Sequence, residues 1–186
     1  MTMLGHNNGP TMEKGAGWRR YAWKRARADL MPKLPLEVAR RRVKRARELG
    51  IDYKSYAGIR AATGRDIVAL IFSSNALRLA KETALIEAAR AEKLEQIKHV
   101  DSLGLIQPPF DPADVHVKNP ILVATDRAPG LMDNWRDTRD RILALKGTTP
   151  ADGIVVIGDT ALERDWSEAG RLAGFLPSAR YFAATS

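Results

Sequence analysis

The chain of 186 residues contains no cysteine. This absence excludes disulfide bonds, thiol catalysis, and zinc or iron–sulfur sites with cysteine ligands. No stretch of the sequence approaches the run of about 18 apolar residues that indicates a membrane-spanning helix. Residues 1–10 also lack the apolar core of a signal peptide. We therefore expect a soluble protein of the cytoplasm.

Several motifs of catalysis and metal binding are missing as well. The sequence contains neither Gly-x-x-x-x-Gly-Lys-Ser/Thr nor Gly-x-Gly-x-x-Gly, the glycine motifs that bind phosphates. His6, His99 and His116 do not have the spacing of metal ligands. Ser73 and Ser74 are not part of a Gly-x-Ser-x-Gly motif, and we expect them to cap a following helix. From the residues alone we predict no cofactor.

Positive charge is abundant, and it is concentrated at one end of the chain. Residues 1–66 contain 16 Lys and Arg against 6 Asp and Glu, a net charge of +10, whereas the rest of the chain contains 14 against 16, a net charge of −2. Such asymmetry is typical of a basic module joined to an ordinary domain. We predict a flexible tail at 1–17, a basic helical region at 18–64 and an α/β domain at 65–186, with a linker-like segment at 104–120.

We predict three helices in the basic region, at about 18–31, 35–49 and 53–63; the first segment is rich in helix-forming residues, and proline at 32 and 35 separates it from the second. In the second helix an apolar stripe recurs at spacings of three and four, and the remaining faces are basic. The members of this stripe are Leu36, Ala39, Val43 and Ala46. We expect Gly50 and Gly64 to end the second and third helices.

The remainder of the chain is predicted to alternate between strands and helices. Residues 66–72 form either a buried strand or a buried helix with Asp66 as its N-cap. A long helix at 76–99 and an extended, proline-rich connector at 104–120 follow. The later elements are strands at 121–125, 154–157 and 179–184 and helices at 133–146 and 162–173. This alternation predicts parallel β-α-β units, and therefore an α/β fold with a small parallel sheet, flanking helices and a basic helical N-terminal region.

The basic segments point to a polyanion, and nucleic acid is the partner that we favour. Phosphate contacts add affinity through the release of counterions, and arginine makes bidentate phosphate contacts. The predicted phosphate-contacting residues are Arg19, Arg20, Lys24, Arg25, Arg40, Arg41, Lys44, Arg45 and Arg47, and the aromatics expected to stack on unpaired bases are Trp18, Tyr21 and Trp23. An acidic protein or an anionic membrane surface is the alternative partner. A charged face that only contacts solvent is the alternative without a partner.

The segment Tyr56-Ala-Gly-Ile-Arg-Ala-Ala-Thr-Gly64 resembles the first helix and the turn of helix-turn-helix DNA-binding units. The resemblance implies that residues 66–78 are a recognition helix whose first residues meet base edges. However, residues 67–72 are all apolar and provide no polar face for reading bases. The alternative is a helix, a loop and a buried strand.

Acidic residues follow two of the predicted strands. If these strands are neighbours, Asp126 and Asp159 meet at the carboxyl edge of the sheet and hold one Mg²⁺, with Asp165 as a third acid. Residues 154–174 are similar to the last acidic motif of haloacid-dehalogenase-like phosphohydrolases, which implies hydrolysis of phosphate esters. That family also needs an Asp-x-Asp nucleophile motif after its first strand, and Asp126-Arg127-Ala128 does not provide one.

Helix capping is the structural alternative for these acids. Thr160 and Glu163 have the spacing of a capping box, and Asp133 is placed to begin a helix. Three hypotheses for function therefore remain. The favoured one is a nucleic-acid-binding accessory or regulatory protein without catalysis. The others are a Mg²⁺-dependent phosphohydrolase or nuclease, and an interaction subunit of a larger assembly.

Overall fold

The structure is a computed structural model that describes residues 17–18, 21–23 and 35–183. The chain divides into two compact units, residues 1–39 and 40–186. The three regions expected from the sequence, with boundaries at 17 and 64, stay a prediction. Within the described part of the chain, no helix has both the length and the apolar character needed to cross a membrane.

Two predicted helices of the basic region are confirmed. Helix α1 (Leu36–Glu48) is followed by Gly50, whose φ of 65° lies in the left-handed region that glycine tolerates. Helix α2 (Tyr53–Thr63) begins where the side chain of Asp52 accepts a hydrogen bond from the backbone N–H of Ser55, and it ends at Gly64. Of the helix predicted at 18–31, residues 18 and 21–23 are helical, and the rest lies outside the described residues.

The apolar stripe of α1 is oriented as predicted at its C-terminal end. Ala46 is buried, and Ala39 and Val43 are half-buried. Leu36 is 64% exposed, so the stripe does not extend to the first residue of the helix. Burial of one face fixes the opposite face of α1 toward solvent.

The centre of the second unit is a sheet of five parallel strands in the order β3-β2-β1-β4-β5. In chain order the strands are β1 (Ala69–Ser73), β2 (Asp101–Ile106), β3 (Ala124–Arg127), β4 (Ile154–Gly158) and β5 (Gly174–Pro177). The central strand β1 pairs with β2 and β4, so that Ile71 lies opposite Leu103 on one side and Val156 on the other. The predicted α/β fold with a small parallel sheet and flanking helices is confirmed.

Helices cover both faces of this sheet. Beyond α2 the helices are α3 (Ser74–Leu77), α4 (Ala88–Gln96), α5 (Pro112–Lys118), α6 (Trp135–Lys146), α7 (Ala161–Ala169) and α8 (Ser178–Tyr181). Successive strand residues point to opposite faces. Leu70 and Phe72 of β1 therefore belong to a core shared with α1, α2, α4 and α5, whereas Ala69 and Ile71 belong to a core shared with α6 and α7.

The ambiguous segment at 66–72 forms a strand, and the helix-turn-helix interpretation is wrong. All residues of β1 are buried, and the strand is paired along both of its edges. An apolar run that pairs on both sides is typical of a central strand in a parallel sheet. Ser73 then caps the short helix α3, as expected, by accepting a hydrogen bond from the backbone N–H of Ala76.

The long helix predicted at 76–99 is wrong over its first half. Helix α3 ends after one turn, and Arg78 and Ala84 adopt positive φ angles that a continuous helix excludes. The intervening loop is held by Asn119, whose buried side chain accepts a hydrogen bond from the Ile86 N–H at 2.9 Å and donates one to the Ala84 carbonyl. Contacts that are distant in sequence thus override the helix-forming composition of this segment.

The connector predicted at 104–120 is also wrong, because it contains the second half of β2 and all of α5. The prolines lie at positions that suit these elements: Pro108 and Pro109 come after the strand has ended, and Pro112 occupies the first turn of α5. Proline is tolerated at that position because the first helical N–H groups have no intrahelical acceptor.

Several element boundaries differ from their predictions, including that of α7, which ends at Ala169 instead of residue 173. Strand β3 begins at Ala124 instead of residue 121. Helix α6 is capped by Asn134 and not by Asp133, whose carboxylate accepts a hydrogen bond from the backbone of Gly130. The last strand is β5, and residues 178–181 form α8 instead of the strand predicted at 179–184.

Candidate nucleic-acid interface

Four cationic side chains lie on the exposed side of α1. Helical periodicity places Arg40, Lys44 and Arg47 in one row, with Arg41 beside it, on the side opposite the buried Ala46. We call this set, Arg40, Arg41, Lys44 and Arg47, the outer face of α1. All four residues are exposed, and the Lys44 side chain retains 80% of its accessible surface.

Two members of the outer face, Arg41 and Arg47, carry positive charge that no described residue compensates. Arg41 and Arg47 make no hydrogen bond and no ion pair with the residues that the structure describes. Lys44 approaches Glu48 at 3.9 Å, and an exposed pair of this kind contributes little free energy and is screened by salt. Arg41, Lys44 and Arg47 are therefore cations that an external polyanion can contact.

Arg45, which was also predicted to contact phosphates, lies in a different environment from the outer face. Its guanidinium donates hydrogen bonds to the carboxylate of Asp66 at 3.0 Å and to the carbonyl of Ile67 at 2.8 Å. It also donates to the carbonyls of Lys98 and His99. These acceptors engage a side chain that is only 15% exposed, so Arg45 joins α1 to the segments that precede β1 and β2.

The predicted stacking residues lie in the first unit. The exposed fractions of Trp18, Tyr21 and Trp23 are 74%, 59% and 72%. Exposed aromatic rings provide surfaces on which unpaired bases stack. The second predicted patch, consisting of Arg19, Arg20, Lys24 and Arg25, lies outside the described residues.

A groove beside the outer face was not anticipated from the sequence. It has a volume of about 480 Å³, and its lining includes Arg47, Gly50, Ile51, Lys93, Ile97 and Phe182. We call it the Arg47–Lys93 groove. Because Lys93 occurs in a helix of mixed charge and Phe182 follows the last helix, no sequence pattern indicates that these residues meet.

Lys93 is held in a fixed position within this groove. Its ammonium group donates a hydrogen bond to the carbonyl of Tyr181 and lies 4.5 Å from the centroid of the Tyr181 ring. No carboxylate among the described residues lies within ion-pair distance of Lys93. Burial lowers the pKa of Lys93 below its ordinary value, because desolvation disfavours the charged form.

The acids proposed as a magnesium site do not converge. Asp126 lies on β3 and Asp159 follows β4, and the strand order places β2 and β1 between them. Three strand spacings separate the two positions by about 14 Å. Asp165 is exposed on α7, and the described residues contain no group of three His, Asp or Glu arranged to hold a metal ion. The condition of neighbouring strands, on which the Mg²⁺ hypothesis depended, is therefore not met.

The two acids are instead hydrogen-bonded within the fold. The Asp126 carboxylate accepts a hydrogen bond from the N–H of Arg127 at 2.7 Å, on the strand at one edge of the sheet. The Asp159 carboxylate accepts a hydrogen bond from the hydroxyl of Ser178. The first contact is local and the second joins the loop after β4 to the start of α8.

Glu163 is the most enclosed acid of the carboxyl edge. The predicted capping box is confirmed, since Glu163 accepts a hydrogen bond from the Thr160 N–H at 2.9 Å while the Thr160 hydroxyl accepts one from the Glu163 N–H. Glu163 is 0% exposed and also accepts hydrogen bonds from the Asp159 N–H and from the side-chain amide of Asn75 at 2.9 Å. It thereby connects α3, which directly follows β1, to the loop after β4.

The phosphohydrolase resemblance is not supported by this arrangement. Strand β4 lies between β1 and β5, and the residues that follow β1 are Ser74 and Asn75, neither of which has a carboxylate. The first strand is thus not followed by the acidic nucleophile that the family requires. Comparisons with protein-family models, curated proteins and solved structures found no match for this chain.

Proposed function

We propose that the protein binds nucleic acid through the outer face of α1 and contacts phosphates instead of base edges. The observation that carries this proposal is the uncompensated charge of Arg41 and Arg47, which lie beside Lys44 on an exposed helix. From residue 40 to residue 47 the row extends about 10 Å along the helix axis. Cations spaced over this distance suit contact with successive phosphates of one backbone, where each contact releases counterions.

Recognition of a base sequence has no support in the described residues. The segment that resembled a recognition helix is the buried strand β1, so its side chains face the two cores and not a groove of DNA. Phosphate contacts carry no sequence information of their own. We therefore propose an accessory or regulatory role in the cytoplasm, without a catalytic step, in which affinity depends on charge.

The proposal is tested by the triple variant R41Q/K44Q/R47Q. Binding of a fluorescein-labelled DNA strand, and of an RNA strand of the same sequence, is measured by fluorescence anisotropy at low salt. We expect the triple variant to bind about tenfold more weakly or worse, because three phosphate contacts are lost. The matched control is K81Q/R136Q/R139Q, which removes the same charge from exposed positions away from α1.

Two results contradict this assignment. Equal affinity of the wild type and the α1 variant shows that the outer face does not contact nucleic acid. Equal weakening by the control shows that net charge, and not this surface, determines binding. Retention of an acidic protein by the wild type in place of nucleic acid supports the interaction-subunit alternative.

A further inference from the structure

The Arg47–Lys93 groove continues the outer face of α1 into a concave site. Arg47 belongs to both surfaces, since it ends the cationic row and also lines the groove. A bound nucleic-acid strand whose backbone follows the outer face therefore contacts positively charged side chains all the way to the groove. The volume of about 480 Å³ falls within the range of about 300–1,000 Å³ found for small-ligand pockets.

The lining of the groove combines two kinds of chemistry. Arg47 and Lys93 provide positive charge, whereas Ile51, Ile97 and Phe182 provide apolar surface. Glu92 and Gln96 also line the site, with one carboxylate against the two cations. A nucleotide has the matching pair of properties, because an anionic phosphate is joined to a flat base with apolar faces.

Lys93 is positioned for an anion that the described residues do not supply. A Cβ atom built on Gly50 would lie 3.1 Å from Cε of Lys93, so the absence of a side chain at Gly50 leaves room for the lysine stem. The ammonium group is thus fixed at the groove with a carbonyl and an aromatic ring as its neighbours, but without a carboxylate partner. A partly desolvated cation of this kind is stabilised by an incoming phosphate.

We propose that the groove holds one unpaired nucleotide of the bound strand, with its phosphate at Arg47 and Lys93 and its base against Ile51, Ile97 and Phe182. This inference rests on the proposed function and specifies the form of nucleic acid. In a duplex the bases are stacked and paired, so they do not enter a side groove unless they are extruded. The protein therefore prefers single-stranded to duplex nucleic acid.

The test fills the groove without changing its charge. Ala89 lines the groove and is exposed, so the variant A89W places a bulky ring in the space assigned to the base. The neighbouring Ala88 is exposed but does not line the groove, so A88W is the matched control. Anisotropy is measured with a labelled DNA strand of mixed sequence, alone and annealed to its complement.

We expect the wild type to bind the single strand about tenfold more tightly than the duplex, which corresponds to the contribution of one accommodated base. The A89W variant should lose this preference and keep its affinity for duplex, and A88W should behave as the wild type. The variant K93Q provides a second measurement, since it removes the phosphate contact without filling the groove. K93Q should lower the affinity for the single-stranded probe more than the affinity for the duplex.

The outcomes separate the two proposals. If the wild type binds strand and duplex equally, or if A89W and K93Q both retain the preference, the inference about the groove is overturned. The proposed function survives that result as long as R41Q/K44Q/R47Q weakens the binding of both probes. If the wild type binds neither probe, both proposals are overturned.

Discussion

The outer face of α1 and the carboxyl edge of the sheet both contain several charged residues. The two regions differ in whether those charged groups have hydrogen-bond partners within the protein. At the carboxyl edge, Glu163 accepts hydrogen bonds from two backbone N–H groups and a side-chain amide, and Asp159 accepts one from Ser178. On α1, Arg41 and Arg47 have no partner among the described residues. Charge that is satisfied inside the protein stabilises the fold, whereas unsatisfied charge on an exposed helix is available to a ligand.

The same contrast occurs within α1 itself. Arg45 and Arg47 are two residues apart, so their side chains lie on nearly opposite sides of the helix, about 160° apart around its axis. Arg45 points inward and donates to Asp66 and to the carbonyls of Ile67 and His99, whereas Arg47 points to the groove and to solvent. Two arginines that are equivalent by composition therefore have different roles, one in stability and one in the proposed binding.

The largest expected effect is on stability, at the carboxyl edge. Replacing Glu163 by alanine leaves the N–H groups of Asp159 and Thr160 and the amide of Asn75 without their acceptor. We expect E163A to lower the free energy of unfolding by about 3 kcal/mol, because three part-buried hydrogen bonds to a fully buried side chain are lost. Urea denaturation followed by circular dichroism measures this change.

The control for Glu163 lies on the same helix. Glu168 is exposed on α7, and E168A should change the free energy of unfolding by no more than about 0.5 kcal/mol. If E163A is as stable as E168A, Glu163 does not hold the carboxyl edge together. The contrast between a carboxyl edge that stabilises the fold and a helix that is proposed to bind a ligand then fails.

A somewhat smaller loss of stability is expected at Arg45. Replacement by methionine keeps the apolar stem but removes the donors to Asp66 and to three backbone carbonyls, so R45M should lose about 2 kcal/mol. The matched variant R41M removes an exposed arginine from the same helix and should be within about 0.5 kcal/mol of the wild type. Equal stability of R45M and R41M contradicts the inward role of Arg45.

Local signals in the sequence predicted the elements whose ends are determined by local chemistry. The α2 helix ends at Gly64 as expected, and Thr160 and Glu163 form the expected capping box. The loop after α3 was not predictable in this way, because it is held by Asn119, which lies 33 residues away from Ile86. Strand order is also a property of pairing across the whole sheet, so the separation of Asp126 from Asp159 required the structure.

The candidate interface was predictable to a similar extent. Composition identified α1 as basic, and its apolar stripe indicated which side faces solvent. The role of Arg45 depends on acceptors 21 to 54 residues away, and helical periodicity contains no information about them. The groove formed by Arg47, Lys93 and Phe182 likewise arises only when α1, α4 and the residues after α8 are brought together.

The salt dependence of binding tests the central claim most directly. The slope of the logarithm of affinity against the logarithm of salt concentration is measured for the wild type, R41Q/K44Q/R47Q and R45M with the same DNA strand. If the outer face of α1 contacts phosphates, the slope of the triple variant is less steep by about 2 to 3, because each lost phosphate contact reduces the magnitude of the slope by about 0.7 to 0.9. R45M, measured where it remains folded, keeps the slope of the wild type. An unchanged slope in the triple variant, or an equal decrease in R45M, contradicts the account.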